Sequence, residues 1–196
     1  MPDTARTARR QPADVRREQL LGAAEAVMVT KGFDATSVAD VAAAAGLAKG
    51  TVYLHFGSKA ELLAALRARY LQQFGGALEE SQRRAGARDP ARRLACFVEE
   101  LFAFSTSHVA LHHVLFHEAG FSEEDAFVGA RRLLGAIVDE GVAAGQFRVP
   151  EAGVAAAFVL HGVHGVLVEA LHSPSMDAER AKQVAVAIAL RAVGAG

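Results

Sequence analysis

Two sets of side chains in this sequence could do chemistry. The first is the run Lys49-Gly50-Thr51-Val52-Tyr53-Leu54-His55-Phe56, in which a cation, two hydroxyls and an imidazole are interleaved with apolar residues. Val52 and Phe56 stand four apart, the spacing of one helical face, which leaves Lys49, Thr51, Tyr53 and His55 on the outer side or the ends. Ammonium and hydroxyl donors on one small surface suit phosphate oxygens and base edges, and Gly50, with no side chain, lets a backbone come close. The second set is histidine. Seven of the eight lie beyond residue 100: His108, His112, His113, His117, His161, His164 and His172. Pairs three or four apart could converge on Zn or Ni, with Glu118 as an oxygen ligand and His113, His117, His161 and His164 as the candidate set. The preferred reading is a small-effector pocket lined by Phe102, Phe116, His117, Phe158, His161 and His164, because no ligand set follows from the spacing. Neither a required cofactor nor catalysis is expected. The chain has no Gly-x-Ser-x-Gly elbow, phosphate loop, dinucleotide fingerprint or Cys pair, and His117-Glu118 lacks the second His of a zincin helix. The rival reading is a His-rich helical metal-binding protein, either a metal-sensing regulator or a metal-dependent enzyme.

The first set must be held by short helices. Ser37 followed by Asp40 reads as a capping box, and Val38, Val41, Ala42 and Ala45 give an apolar face to a helix near 37–45. Gly46 can take the left-handed conformation that ends it, and a second helix follows near 49–55. Helix, glycine turn and helix with a cationic, hydroxyl-bearing face is the helix-turn-helix plan, whose second helix enters the major groove.

The run Gly46-Leu47-Ala48-Lys49-Gly50-Thr51-Val52-Tyr53-Leu54-His55-Phe56, continued by Ser58-Lys59-x-Glu61-Leu62-Leu63, resembles the DNA-binding head of the TetR family of bacterial repressors. So does the lead-in Lys31-Gly32-Phe33-Asp34-Ala35-Thr36-Ser37-Val38, and the likeness covers residues 14–66. The resemblance implies that Lys49, Gly50, Thr51 and Tyr53 face the major groove or its backbone. It implies phosphate contacts for His55 and Lys59, and Ser37 is counted with the DNA-binding residues. It further implies a nine-helix, all-α architecture, a double-stranded DNA operator and release by a small-molecule effector. Two positions depart from the family pattern: Ala48 stands where many members cap the helix with Ser, and Ala39 where many have a DNA-reaching Arg.

Composition agrees with a helical protein. Hydrophobic residues make up 52%, Trp is absent and Pro is scarce, so a sizeable helical core is affordable. The net charge of −1 hides an asymmetry: residues 1–67 hold nine Lys/Arg against seven Asp/Glu (+2), residues 68–196 twelve against fifteen (−3). A mildly basic head on an acidic body is the polarity a DNA-binding head needs. The single Cys96 suits a reducing cytoplasm and reads as a buried core residue. Met1–Gln11 has no apolar core, so no leader is expected, and the uncharged run Ala152–Val168 reads as a bundle helix rather than a membrane span.

In chain order, a basic arm (1–12, with Arg6, Arg9 and Arg10) precedes a helix-turn-helix domain (13–58) and a connecting helix (59–84). The effector-binding and dimerisation domain follows (85–196), set off by a loop at Ala85–Pro90. The first helix, Asp14–Lys31, carries the stripe Val15, Leu20, Leu21, Ala24, Val27 and Met28, and Gly32 ends it. Ser58 with Glu61 caps the connecting helix, in which Gly75-Gly76 is a candidate bend. Body helices are predicted at 91–106, 108–119, 123–144, 151–171 and 177–193. Their expected signals are a Ser122/Asp125 start, a Gly145 stop, Pro150 at the opening of the fourth and Asp177 capping the last. The helix at 151–171 is apolar on two faces, Val154/Phe158/His161/Gly165/Val168 and Leu160/Val163/Leu167/Leu171, so one protomer cannot cover it. A homodimer through 151–171 and 177–193 follows, and its two-fold axis predicts a palindromic operator.

Overall fold

The computed structural model describes residues 12–86, 89–118, 123–173 and 175–195, apart from the side chains of 117, 118 and 123–126. The arm with Arg6, Arg9 and Arg10, and the Ser122/Asp125 cap, lie outside the described residues. Among the described residues every regular element is a helix: α1 (Ala13–Lys31), α2 (Val38–Ala44), α3 (Lys49–His55), α4 (Lys59–Ala85), α5 (Pro90–Ser107), α6 (Val109–His113), a π turn (Val114–Glu118), α7 (Glu123–Ala143), α8 (Ala152–His172) and α9 (Ala178–Ala192). The all-α expectation holds, and each predicted helix has its counterpart within a residue or two. The exception is the segment expected at 108–119, which is a short α-helix running into a π turn.

The chain forms two compact units, residues 1–69 and 70–196. The division falls inside α4 rather than at the 85–90 loop. Its reason lies in the apolar repeat of α4: Tyr70, Phe74 and Leu78 are buried, and Tyr70 and Phe74 each set their rings 5.2 Å from Phe104 of α5. The second half of the helix thus belongs to the body's core.

In the first unit, α1 buries Leu20, Leu21, Ala24 and Met28, while Val41, Ala42, Val52, Phe56, Leu62, Leu63 and Leu66 complete the core. Val15, expected in the α1 stripe, is 50% exposed, because the helix begins only two residues earlier and its first turn projects past the packed layer. Gly32 and Gly46 take positive φ of 82° and 67°, which ends α1 and turns the chain between α2 and α3.

The second unit packs α5 through α9 with the C-terminal half of α4. Asp89 caps α5 by accepting from the Arg92 N–H at 3.0 Å, and Pro90 occupies the first turn, where its missing N–H costs nothing. For α8 that role differs from expectation. Glu151 is the cap, its carboxylate accepting from the N–H groups of Gly153 (3.1 Å) and Val154 (2.5 Å), so Pro150 stands one residue outside. Asp177 caps α9 from the Arg180 N–H, and Gly145 follows the end of α7 with φ 70°. Gly75 and Gly76 lie within unbroken α4.

Helix α8 has 21 residues and a mean hydropathy of 1.8 over its most apolar stretch, so by length and composition alone it could cross a membrane. Its setting is a packed helical layer: Val159, Leu160, Val163 and Leu167 are buried among α7 and α9. The opposite face is open, with Val154 66% and Phe158 69% exposed, and Phe158 shares a groove with exposed Ile188 of α9.

Candidate nucleic-acid interface and effector cavity

The first site is built from α2, the Gly46 turn and α3. Ser37 and Asp40 form the expected capping box: Ser37 Oγ accepts from the Asp40 N–H (3.1 Å), and the Asp40 carboxylate accepts from the Ser37 N–H (2.9 Å) and hydroxyl (2.6 Å). Lys31 donates to the same carboxylate at 2.6 Å. These bonds, the lysine's first, hold the Asp40 carboxyl well below the usual carboxylate range. Ser37 thus works inside the head's own scaffold.

Helix α3 is seated by Val52, fully buried, and by Phe56 just beyond its end, with the Arg17 guanidinium 4.9 Å from the Phe56 ring centroid. No side chain caps it at Ala48, as the departure at that position implies. Lys49, Gly50, Tyr53 and Leu54 are exposed, and Thr51 and His55 are half-buried beside them. Lys49 Nζ stands 5.8 Å from the Tyr53 ring centroid, so cation and phenol present one surface. Nothing lies within 4 Å of where a Gly50 side chain would begin, which leaves backbone open to an approaching groove. Leu54, at 84% exposed, was not among the expected contact residues. Its position three after Thr51 and four after Gly50 on so short a helix was the available signal.

Lys59 is placed differently from the others. Its ammonium donates to the Asp34 carbonyl at 3.2 Å and lies 4.2 Å from the Phe33 ring centroid, closing the α1–α2 turn. An ammonium has three donors, so this bond leaves capacity for a phosphate. Ser58 accepts from the Glu61 N–H (3.1 Å), but Glu61 reaches back to the Gly57 N–H (2.8 Å) rather than to Ser58.

The second site lies in the body. Of the six residues expected to line one effector pocket, the five whose side chains are described do not all come together. Phe102 is buried within α5, Phe158 faces outward, and His161 is exposed with its ring 6.0 Å from that of Phe127. The side chain of His117 lies outside the described residues. Among the described side chains of that set, Phe116 and His164 join a shared cavity of about 20 Å³, with Tyr70, Leu71, Phe74, Leu101, Ser105, His112 and Phe127. Sequence reasoning missed these because Tyr70 and Phe74 look like the stripe of a connecting helix, and His112 like one of many histidines. Within the cavity the Tyr70 hydroxyl and His112 Nδ1 are 3.1 Å apart, and His112 stacks on Phe116 at 4.4 Å. His164 sits 4.6 Å from Phe127 and 6.4 Å from His112, ring centre to ring centre. Burial pushes the Tyr70 hydroxyl far above its ordinary pKa, against a smaller opposing effect of Ser105, so it stays a neutral donor.

The metal candidates are equally dispersed. His113 and His161 are exposed while His164 is buried, and among the described residues no group of three His, Cys, Asp or Glu is arranged to hold an ion. His108 and His172 each set Nδ1 2.8 Å from a carbonyl one turn back in their own helix, a local polar closure. Cys96 is buried, which pushes its thiol up and leaves it a packing residue.

Residues 20–66 match the family model for bacterial regulatory proteins of the tetR family. The transcriptional activator FasR of Mycolicibacterium smegmatis is 36% identical over 99 residues, 50% of this chain and 44% of FasR, so the chain spans under half of that relative's length. Among solved structures, SmeT, the repressor of a Stenotrophomonas maltophilia multidrug efflux pump, superposes with a TM-score of 0.73 at 27% identity over 90% of this chain and 89% of its own. FadR of Bacillus subtilis, solved with stearoyl-CoA, shares the fold with a TM-score of 0.74 at 19% identity over 90% of this chain and 98% of its own. The match falls on the same helices that carry the capping box, the Gly46 turn and the exposed face of α3, and the solved structures extend the likeness of fold through the body: residues 20–66 are a DNA-binding head of the tetR family of bacterial regulatory proteins.

Proposed function

We propose that this protein is a cytoplasmic, homodimeric transcriptional repressor that holds a palindromic operator through α3 and releases it when a small-molecule effector occupies the body. One observation carries the reading: α3 buries Val52 on one side and turns Lys49, Gly50, Tyr53 and Leu54 to solvent on the other. A helix of this size, seated by a capped partner and offering a cation, a phenol, a bare backbone and an aliphatic tip, is suited to the major groove. Lys49, Lys59 and His55 supply phosphate contacts, Tyr53 and Thr51 hydroxyls, and Leu54 a surface for a thymine methyl. Ser37 serves DNA binding by holding the start of α2 through its reciprocal bonds with Asp40.

The dimer is supported by the open apolar face of α8 and α9. Val154 and Phe158 of α8 and Val184 and Ile188 of α9 are exposed, and Phe158 and Ile188 line a shallow groove between the two helices with Gly162 in its wall. A second copy would cover this face and make a four-helix interface. Effector control requires that the ligand bind the released form better than the DNA-bound form, since otherwise no population shifts.

Selection of bound duplexes from a random pool tests the reading: palindromic sites should be enriched, and placing such a site in a promoter should lower transcription. Retention of no duplex rejects DNA binding, and raised transcription would make the protein an activator, the role FasR bears in name. An operator complex that survives every fraction of an organic cell extract would reject effector control.

A further inference from the structure

We propose that Arg17, on α1 rather than on the helix-turn-helix itself, grips a backbone phosphate of the operator and completes the DNA-binding surface at the C-terminal end of α3. The inference rests on the DNA-binding reading and adds to it a phosphodiester site supplied from a third helix.

Three observations lead to it. First, the Arg17 guanidinium lies 4.9 Å from the centroid of the Phe56 ring, and Phe56 is the residue that ends α3. Phe56 is buried while Arg17 is exposed, so the ring holds the cation at the surface where α3 stops. Contact with a ring leaves a guanidinium most of its five N–H donors, in the fork that matches phosphate oxygens. Second, the same turn of α1 is tied to the helix-turn-helix again. Gln19 donates to the Ala45 carbonyl at the end of α2 (2.9 Å) and accepts from Arg16 (3.0 Å). Arg17 thus stands on a turn fixed against both α2 and α3, and a charge so held loses little freedom on meeting its ligand. Third, α1 sorts its charges by face. Glu18 and Glu25 both pair with Arg69 of α4, Glu18 at 3.6 Å. Their charge is balanced on the α4 side, while Arg17 is turned to α3.

Dimensions put this cation against DNA. The seven residues of α3 span about 10 Å, and the major groove is about 12 Å wide with phosphates along both edges. Each end of so short a helix stands within a side chain's reach of an edge. Lys49 opens the helix and Arg17 covers its close, so each end carries a cation. The phosphate met by Arg17 fixes the register and tilt of α3 and carries no base information itself. A cation that only shielded Phe56 from water would instead lower stability when removed and leave the salt dependence unchanged.

The test uses the full-length protein and an operator taken from the selected duplexes. Arg17→Met keeps an apolar stem over Phe56 and removes the charge. It should weaken operator and non-specific duplex alike, by about tenfold, with an unchanged melting temperature. The slope of log affinity against log salt should flatten by about one unit per bound protomer. Arg17→Lys, which returns the charge, should restore the slope and most of the affinity. A set of operators, each with one phosphate replaced by a neutral methylphosphonate, then locates the partner. One position per half-site should weaken the parent protein about tenfold and leave Arg17→Met unaffected. Unchanged affinity and slope in Arg17→Met overturn the proposal. So does lost affinity with a lowered melting temperature and an unchanged slope, and so does a scan in which every methylphosphonate affects parent and variant alike. If the parent protein retains no duplex, the DNA-binding reading falls and this site with it. If the parent binds and only the Arg17 results fail, that reading stands without this phosphate.

Discussion

Lys49 and Tyr53 leave α3 one turn apart on the exposed side, and their nearness has a measurable consequence. Tyr53→Ala removes a hydroxyl and the ring beside the ammonium, and neither side chain supports the head's core. The expected result is a loss of about tenfold or more in operator affinity by gel shift at fixed salt, with an unchanged melting temperature. Lys49→Ala should also flatten the dependence of log affinity on log salt by about one unit if the ammonium meets a phosphate. Lys59 should behave otherwise. Because its ammonium ties Asp34 and covers Phe33, Lys59→Ala should lower both affinity and head stability, and circular dichroism would separate the two.

At the scale of elements, the caps set which predictions can be made. Ser37→Ala breaks the reciprocal bonds with Asp40 and should cost about 1 kcal/mol in thermal unfolding of the head. Asp40 adds a pH dependence. Its carboxyl is depressed in the folded state, so its contribution is complete above the unfolded value of about 4 and fades as pH falls through the lower folded value. Asp40→Asn should therefore be less stable near neutrality and lose less than the parent protein between about pH 4 and pH 2. In the body, a Cβ on Gly141 would overlap the ring of buried Phe147, so Gly141→Ala should destabilise by about 1–3 kcal/mol in denaturant titration.

The same caps explain what was legible beforehand. Ser37, Gly32, Gly46, Gly145 and Asp177 act through residues at most a few positions away, so their roles could be read from the string. Pro150 falls one residue outside α8 because Glu151, whose carboxylate accepts from two N–H groups, takes the capping position. The cavity of the body was not legible, since it depends on which faces of α4, α5, α7 and α8 meet. Periodicity alone placed Phe158 and His161 on an inner side that belongs to Leu160, Val163 and His164. The π turn was equally invisible, for no local residue choice distinguishes Val114–Glu118 from an ordinary helix.

For the whole molecule, the open face of α8 and α9 makes the prediction that bears on assembly. Phe158→Asp puts a charge where a second copy would sit, and light scattering should then report a monomer at micromolar protein. Operator affinity should fall steeply with it, since one α3 would hold one half-site alone. A further consequence lies in the two tyrosines, the chain's whole complement of strong near-ultraviolet emitters in the absence of Trp. One stands exposed on α3 and the other is sealed in the body's cavity, so each compact unit carries a single native fluorophore. Tyr53→Phe leaves emission from the inner ring only, and Tyr70→Phe leaves that of the outer one. Occupancy of the body and engagement of duplex can thus be followed separately by light, with no dye attached to either part.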